Sequence, residues 1–221
     1  DIPGKPETIL IDSSEFYYNK DYLKEKYWDY FKIDSLFANW DFEEPLLFST
    51  AAGILIEEYL KNNSCKAIAQ FHEWMTGFGG LYLKAKAKEG DPVKVKTVFT
   101  THARMLGRSL SASGVDITSL GKNFNPDEKA KECGVIEKYT TEKACANFLD
   151  EFTTVSKITA NECMKFFGKK PKLTLNGIDL TQFPTGKSIF YKQSITKQKF
   201  LDFLTQKFPG EDFSDYLFAY T

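Results

Sequence analysis

At 221 residues the chain has room for one large domain or two small ones around a substantial core. Its 29 basic residues balance 30 acidic ones, which argues against a partner recognised by bulk charge, whether nucleic acid or an anionic membrane. No apolar run approaches the roughly 20 residues of a membrane span, so a transmembrane helix is excluded as well. The opening Asp1-Ile-Pro-Gly-Lys-Pro6 is neither a signal peptide nor an initiator methionine, so the chain is expected to start after a cleavage or an excision. Cys65, Cys133, Cys145 and Cys163 form no close pair, as in a reduced, cytosolic protein, and no disulfide framework is expected. With two histidines and no ligand-spaced cluster, no metal site is expected either.

In chain order, Thr8–Asp12 reads as a strand and Leu46–Lys61 as an amphipathic helix. Ala67–His72 reads as a strand, Thr76–Lys88 as a helix and Lys94–His102 as a strand. A short helical segment carrying Arg104 and Arg108 follows. Asn125-Pro126-Asp127 opens a long helix expected to run from Asp127 to Asp150, with proline near its first turn and acid after it. Phe152–Val155 is a strand, Lys157–Phe167 a helix, and Leu173–Leu175 a strand that ends in Asn176-Gly177. Strands alternating with helices of this length predict parallel pairing through right-handed crossovers, an α/β Rossmann-like three-layer sandwich. After Pro184 the pattern changes: Thr185–Tyr191 reads as a linker, Thr196–Lys207 as a helix and Asp215–Tyr220 as a further strand. The expected division is therefore 1–184 and 185–221.

The two histidines, His72 and His102, each close a predicted strand. Ligands of open α/β sheets bind outside the carboxyl ends of the strands, so two histidines on one such edge suggest a binding cleft. Glu73 and Trp74 add a carboxylate and an aromatic face, suited to sugar hydroxyls and ring faces. An acid resting against a helix N-terminus is the equal alternative for Glu73. Asn176-Gly177 reads as a tight turn or as an amide turned to the same cleft. Three other matches fail. Thr185-Gly186-Lys187-Ser188 looks like the tail of a phosphate-binding loop, but Thr181 stands where glycine is needed and Pro184 where a strand should end. His72-Glu73 is not a zinc-protease motif, because position 76 is Thr76. Asn62-Asn63-Ser64 is a glycosylation sequon without meaning in a cytosolic protein.

Taken together, these segments resemble the glycogen synthases of animals and fungi, and more distantly bacterial glycogen and starch synthases. The resemblance runs through Phe71-His-Glu-Trp-Met-Thr-Gly77 and Val98-Phe-Thr-Thr-His-Ala-Arg-Met-Leu-Gly-Arg108. It continues through Gly114-Val-Asp116, Asn123-Phe-Asn125, Phe152-Thr-Thr-Val-Ser-Lys-Ile-Thr-Ala160 and Leu175-Asn-Gly-Ile178, in the family's order and at close to its spacing. It is dense from Leu46 to Pro184. It implies the amino-terminal, acceptor-side half of a GT-B enzyme, a retaining glucosyltransferase with two Rossmann-like domains facing a cleft. Such an enzyme moves glucose from a sugar nucleotide, with UDP-glucose the expected donor, to the non-reducing end of an α-1,4-glucan. The histidine matching His102 would contact the transferred glucose, and the arginine matching Arg108 would lie near the donor phosphates. The asparagine matching Asn176, beside Gly177, would line the glucose pocket. His72, Glu73 and Trp74 would line the same cleft.

The resemblance also implies what the chain departs from. The family usually has threonine where this chain has Arg104, so a second cation is expected either near the cleft or facing solvent. The first strand with its glycine-rich loop and the whole nucleotide-binding domain would lie elsewhere, with Asp215–Tyr220 matching that domain's first strand. No cofactor or metal is implied, since the sugar nucleotide is a substrate. The expected partners are a glucan, the donor and that second domain, and the chain alone is expected to be inactive. A different GT-B glycosyltransferase and a non-catalytic carbohydrate-binding module are the rival readings.

Overall fold

The computed structural model describes residues 5–63, 65–121, 123–177, 186 and 188–213. The chain forms two compact units, Asp1–Leu175 and Asn176–Thr221. In the first, after a 3-10 turn at Ser14–Asn19, the helices are α1 (Lys20–Phe31), α2 (Trp40–Asn62), α3 (Glu73–Lys88), α4 (Met105–Ala112), α5 (Pro126–Glu132), α6 (Ile136–Phe148) and α7 (Lys157–Phe167). The strands are β1 (Ala67–His72), β2 (Val95–Thr101), β3 (Glu151–Thr154) and β4 (Lys172–Leu173). They pair in parallel in the order β1-β2-β3-β4, so the α/β class and parallel sheet expected from the sequence are observed.

Register puts Phe71 beside Phe99 and Phe99 beside Phe152. This aromatic row is buried, and β-branched threonines fill the strand tips beside it. On the other face of β1, Ile68, Gln70 and His72 are exposed. Helix α3 packs onto β1 and β2 and is itself overlaid by α2. The two helices approach closely at Gly53 and Gly79, where a side chain on Gly53 would stand 2.8 Å from the Gly79 carbonyl oxygen. Leu23, Tyr27 and Phe31, spaced four apart on α1, cover this pair, and the Tyr27 hydroxyl pairs with Thr50 Oγ1 at 2.9 Å.

Three expectations are corrected. Thr8–Asp12 is not a strand: it runs as irregular chain, with Leu10 92% exposed, because among the described residues no strand takes up its backbone groups. The single helix expected over Asp127–Asp150 is two, α5 and α6. Gly134, at φ +65°, follows the last turn of α5 and supplies the left-handed residue that ends it. Asn125 caps the start of α5, accepting from the N–H groups of Asp127 and Glu128.

In the second unit, the expected linker at Thr185–Tyr191 is helical from Ser188 onward, within a helix α8 (Ser188–Lys207) that continues through the expected Thr196–Lys207. The expected strand at Asp215–Tyr220 lies outside the described residues.

Candidate active site at the carboxyl edge of the sheet

β1 and β2 run in register, with His72 opposite Thr100, so both strands end on the same edge. There the His72 and His102 rings meet. Nδ1 of His72 lies 3.0 Å from Nε2 of His102, with ring centroids 5.3 Å apart. One nitrogen of the pair must donate and the other accept, which disfavours two imidazolium ions side by side. Partial burial and the neighbouring His102 push the His72 imidazole below its ordinary value, against the pull of Glu73. Both rings keep exposed surface.

β1 passes into α3 with no intervening loop, and the turn is made by Glu73 itself, at φ +64°. A left-handed conformation costs a residue with a Cβ about 1 to 2 kcal/mol. It aims the Glu73 carboxylate at the next strand's exit, where Oε1 accepts from the N–H groups of His102 (2.7 Å) and Ala103 (3.0 Å). Bonds from amides to an ionised carboxylate are among the stronger protein hydrogen bonds. Thr76 closes the turn by donating to the His72 carbonyl at 2.7 Å.

Arg104 does not face solvent, one of the two placements the sequence suggested. It is 6% exposed and paired with Glu162 of α7. Burial lowers its pKa, and the neighbouring Cys163, Glu142 and Glu73 work the other way. Burial likewise pushes the Cys163 thiol up to about 12, the guanidinium opposing. Arg108, one turn further along α4, is exposed, and its N–H donates to the Arg104 carbonyl at 2.9 Å.

Trp74 lies at the head of α3 but is 5% exposed, stacked on Phe42 at 5.7 Å, with Lys138 Nζ 5.3 Å from its ring. Its indole is a packing surface between α2 and α3. The structure thus brings His72, Glu73 and His102 into contact, with Arg108 on the helix that leaves the same turn. Asn176 and Gly177 belong to the second unit and are exposed there.

Sequence reasoning missed Glu142 on α6, whose fully buried carboxylate accepts from the Met105 N–H at 3.1 Å (Oε1) and 3.3 Å (Oε2). A signal was available. Glu142 sits on the buried stripe Tyr139, Glu142, Cys145 and Ala146, where an acid needs a partner.

A cavity of about 500 Å³ lies elsewhere, lined by Trp28, Asp21, Glu25 and Asp34 beside α1, and includes none of these residues. Among the described residues no group of three or more His, Cys, Asp or Glu side chains is placed to hold a metal ion, and no helix is long and apolar enough to cross a membrane.

Comparison with known proteins gives a consistent family. The family model described as "Glycogen synthase" matches residues 1–219. Glycogen [starch] synthase of Neurospora crassa is 33% identical over 211 residues, which is 95% of this chain and 29% of that protein. The liver glycogen [starch] synthase of Rattus norvegicus is 30% identical over the same shares. Glycogen [starch] synthase of Dictyostelium discoideum is 35% identical over 184 residues, 82% of this chain and 20% of that protein. Among solved structures, the catalytic domain of Starch Synthase IV from Arabidopsis thaliana, bound to ADP and acarbose, aligns over 81% of this chain and 40% of its own. Its TM-score is 0.43 at 20% identity. The chain spans less than a third of the length of the curated relatives it matches.

Proposed function

The chain belongs to the glycogen synthase family, and from that premise we propose that it forms the acceptor-side half of a GT-B, retaining glucosyltransferase of the cytoplasm. The enzyme would transfer glucose from UDP-glucose to the non-reducing end of an α-1,4-glucan. The observation that carries the reading is the contact of His72 and His102 beside the Glu73 carboxylate, at the carboxyl edge of a parallel sheet. In this reaction class a nucleoside diphosphate departs from an oxocarbenium-like sugar, so hydrogen bonds and cations are needed where charge develops. His102 would bond the transferred glucose. Its Nε2 faces His72, which leaves Nδ1, without a hydrogen bond among the described residues, as the ring atom for a sugar hydroxyl. Arg108 would offer a planar, permanently charged donor to the leaving phosphates.

Glu73 would act by fixing the His102 turn and Trp74 by packing the head of α3. The donor is a substrate, and no cofactor or metal enters this scheme. Because the chain spans 29% of relatives such as the Neurospora crassa protein, we further propose that it needs the complementary nucleotide-binding domain and transfers no glucose alone. The test is glucosyl transfer from UDP-glucose to glycogen by the intact protein. His102→Ala and Arg108→Ala are each expected to lower kcat by about 100-fold or more, the scale of losing one preorganised transition-state contact. Full activity in both variants would sink the site assignment. Transfer by the 221-residue chain alone would sink the proposed division of labour.

A further inference from the structure

The turn that carries His102 is held at three places. Its start is fixed by strand pairing, with Thr101 opposite Thr154. Its middle is fixed by Glu73, on the amides of His102 and Ala103. Its far end is the first residue of α4, Met105, whose amide reaches Glu142 from α6. That last contact answers a problem posed by the sequence. The residue at the head of α4 is Arg104, which makes no side-chain cap, because a guanidinium has five donors and no acceptor. A helix of eight residues is not stable in isolation, and a buried N–H without an acceptor costs about 1 to 3 kcal/mol. The acceptor comes instead from α6, and the Arg104 side chain turns away to Glu162 on α7.

We infer that Glu142 is a positioning residue of the sugar-transfer site, setting His102 and Arg108 together by capping the helix that joins them. The inference rests on the function proposed above. Met105 is three residues from each of the two side chains, so the direction in which α4 leaves the turn fixes both. His102 is aimed by the turn before the cap, and Arg108 by the first helical turn after it, through its N–H bond to the Arg104 carbonyl at 2.9 Å. Glu142 is suited to the task because it is fully buried and cannot swing into solvent. Burial also holds its carboxyl well above the ordinary range, opposed by the Met105 N–H, Arg104 and Arg108 and reinforced by Glu73. The contact needs an acceptor oxygen and no charge, so a neutral amide of the same shape can replace the acid.

The test compares Glu142→Ala with Glu142→Gln in the intact protein, reading glucosyl transfer and hydrogen exchange at the amides of His102, Ala103, Met105 and Arg108. In Glu142→Ala, kcat is expected to fall by about 100-fold, the scale of an ångström-sized misplacement, with little change in KM. The Met105 and Arg108 amides should lose protection while those of β1 and β3 keep theirs. Glu142→Gln keeps the acceptor and should restore both readouts. If Glu142→Ala fails to fold, Glu142→Gln still decides: slow transfer with the Met105 and Arg108 amides still protected would mean that Glu142 acts through its charge and not by capping, and would overturn the inference, as would an alanine variant with native exchange. Loss of protection is expected whatever reaction the site performs. A failed sugar-transfer reading therefore shows as activity indifferent to His102→Ala, and a failed inference as unchanged protection.

Discussion

The two strand-to-helix turns of the site reach the same sheet edge by opposite means. β1 passes into α3 in one step, and a residue with a side chain takes the left-handed conformation to do it. β2 passes into α4 through His102, Ala103 and Arg104 without a positive φ, but its amides rely on carboxylates brought from α3 and α6. The first turn is strained and self-contained; the second is relaxed and dependent. The difference lies in the helices behind them. α3 is clamped between the sheet and α2, and such packing can hold a strained residue in place. α4 is short, and side-chain hydrogen bonds must do for it what packing does for α3.

The sharpest way to break this contrast is to add one methyl group to each helix. A Cβ on Gly79 of α3 would stand 2.7 Å from the Phe71 ring and 2.8 Å from the Ser49 carbonyl, and a backbone oxygen cannot step aside cheaply. Gly79→Ala is expected to destabilise the fold by about 3 kcal/mol. On Gly107 of α4 the nearest atom, at 3.2 Å, is Glu162 Oε2, the end of a side chain. There the gain of about 0.5 to 1 kcal/mol from replacing a mid-helix glycine should nearly cancel the crowding. Denaturant unfolding of both variants measures the difference, and equal losses would mean that α4 is packed as tightly as α3.

A second contrast separates the two ends of the sheet by pH. At the amino end, Asp150 accepts from the Thr97 amide at 2.8 Å and pairs with Lys84. Burial works against its charge, but Lys84 and Thr97 prevail and hold it at about 2. A depressed carboxyl contributes stability that is present above its unfolded value, near 4, and lost as pH falls toward the folded one. Asp150→Asn should therefore remove acid sensitivity between roughly pH 4 and pH 2. At the carboxyl end, Glu142 is shifted upward, so its sign is reversed: its contribution is complete below the ordinary glutamate value and declines as pH rises through the folded one. Glu142→Gln should flatten that decline. Unfolding curves across pH check both, and like-signed slopes from the two residues would refute the distinction.

Much of this edge was legible in the sequence, and the rest was hidden for physical reasons. β1 and α7 fall where apolar periodicity and turn residues put them, and β2 within a residue, because buried parallel strands are short apolar runs. That both histidines sit at strand ends was readable; that they touch depends on register, which no single strand encodes. Thr8–Asp12 has a strand's composition and no partner, and partnership is a tertiary property. α1 was missed although Leu23, Tyr27 and Phe31 repeat every four residues, because charged residues fill the gaps. Trp74 looked like a sugar platform, and only the arrival of α2 with Phe42 turns it into core. Glu142 stands out as an acid on a buried stripe, but its partner was hidden, because that partner is a backbone N–H, which every residue but proline has.

The smallest expected effect isolates the strain itself. Glu73→Ala and Glu73→Gly both remove the carboxylate that holds the His102 and Ala103 amides, so both should lose transfer activity to a similar degree. They differ in what remains at φ +64°. Alanine keeps a Cβ pressed toward its own carbonyl, whereas glycine occupies that region freely. Within a helix, glycine is ordinarily about 1 kcal/mol worse than alanine. At this position the order should invert, with Glu73→Gly the more stable by about 1 kcal/mol in denaturant unfolding. If alanine proves the more stable, the left-handed conformation costs the fold nothing, and the β1 turn is no more strained than its neighbour. If the order inverts as expected, the wild-type glutamate occupies a conformation that glycine would fill more cheaply. Its retention there is then explained by the two amides it holds at the start of the next turn.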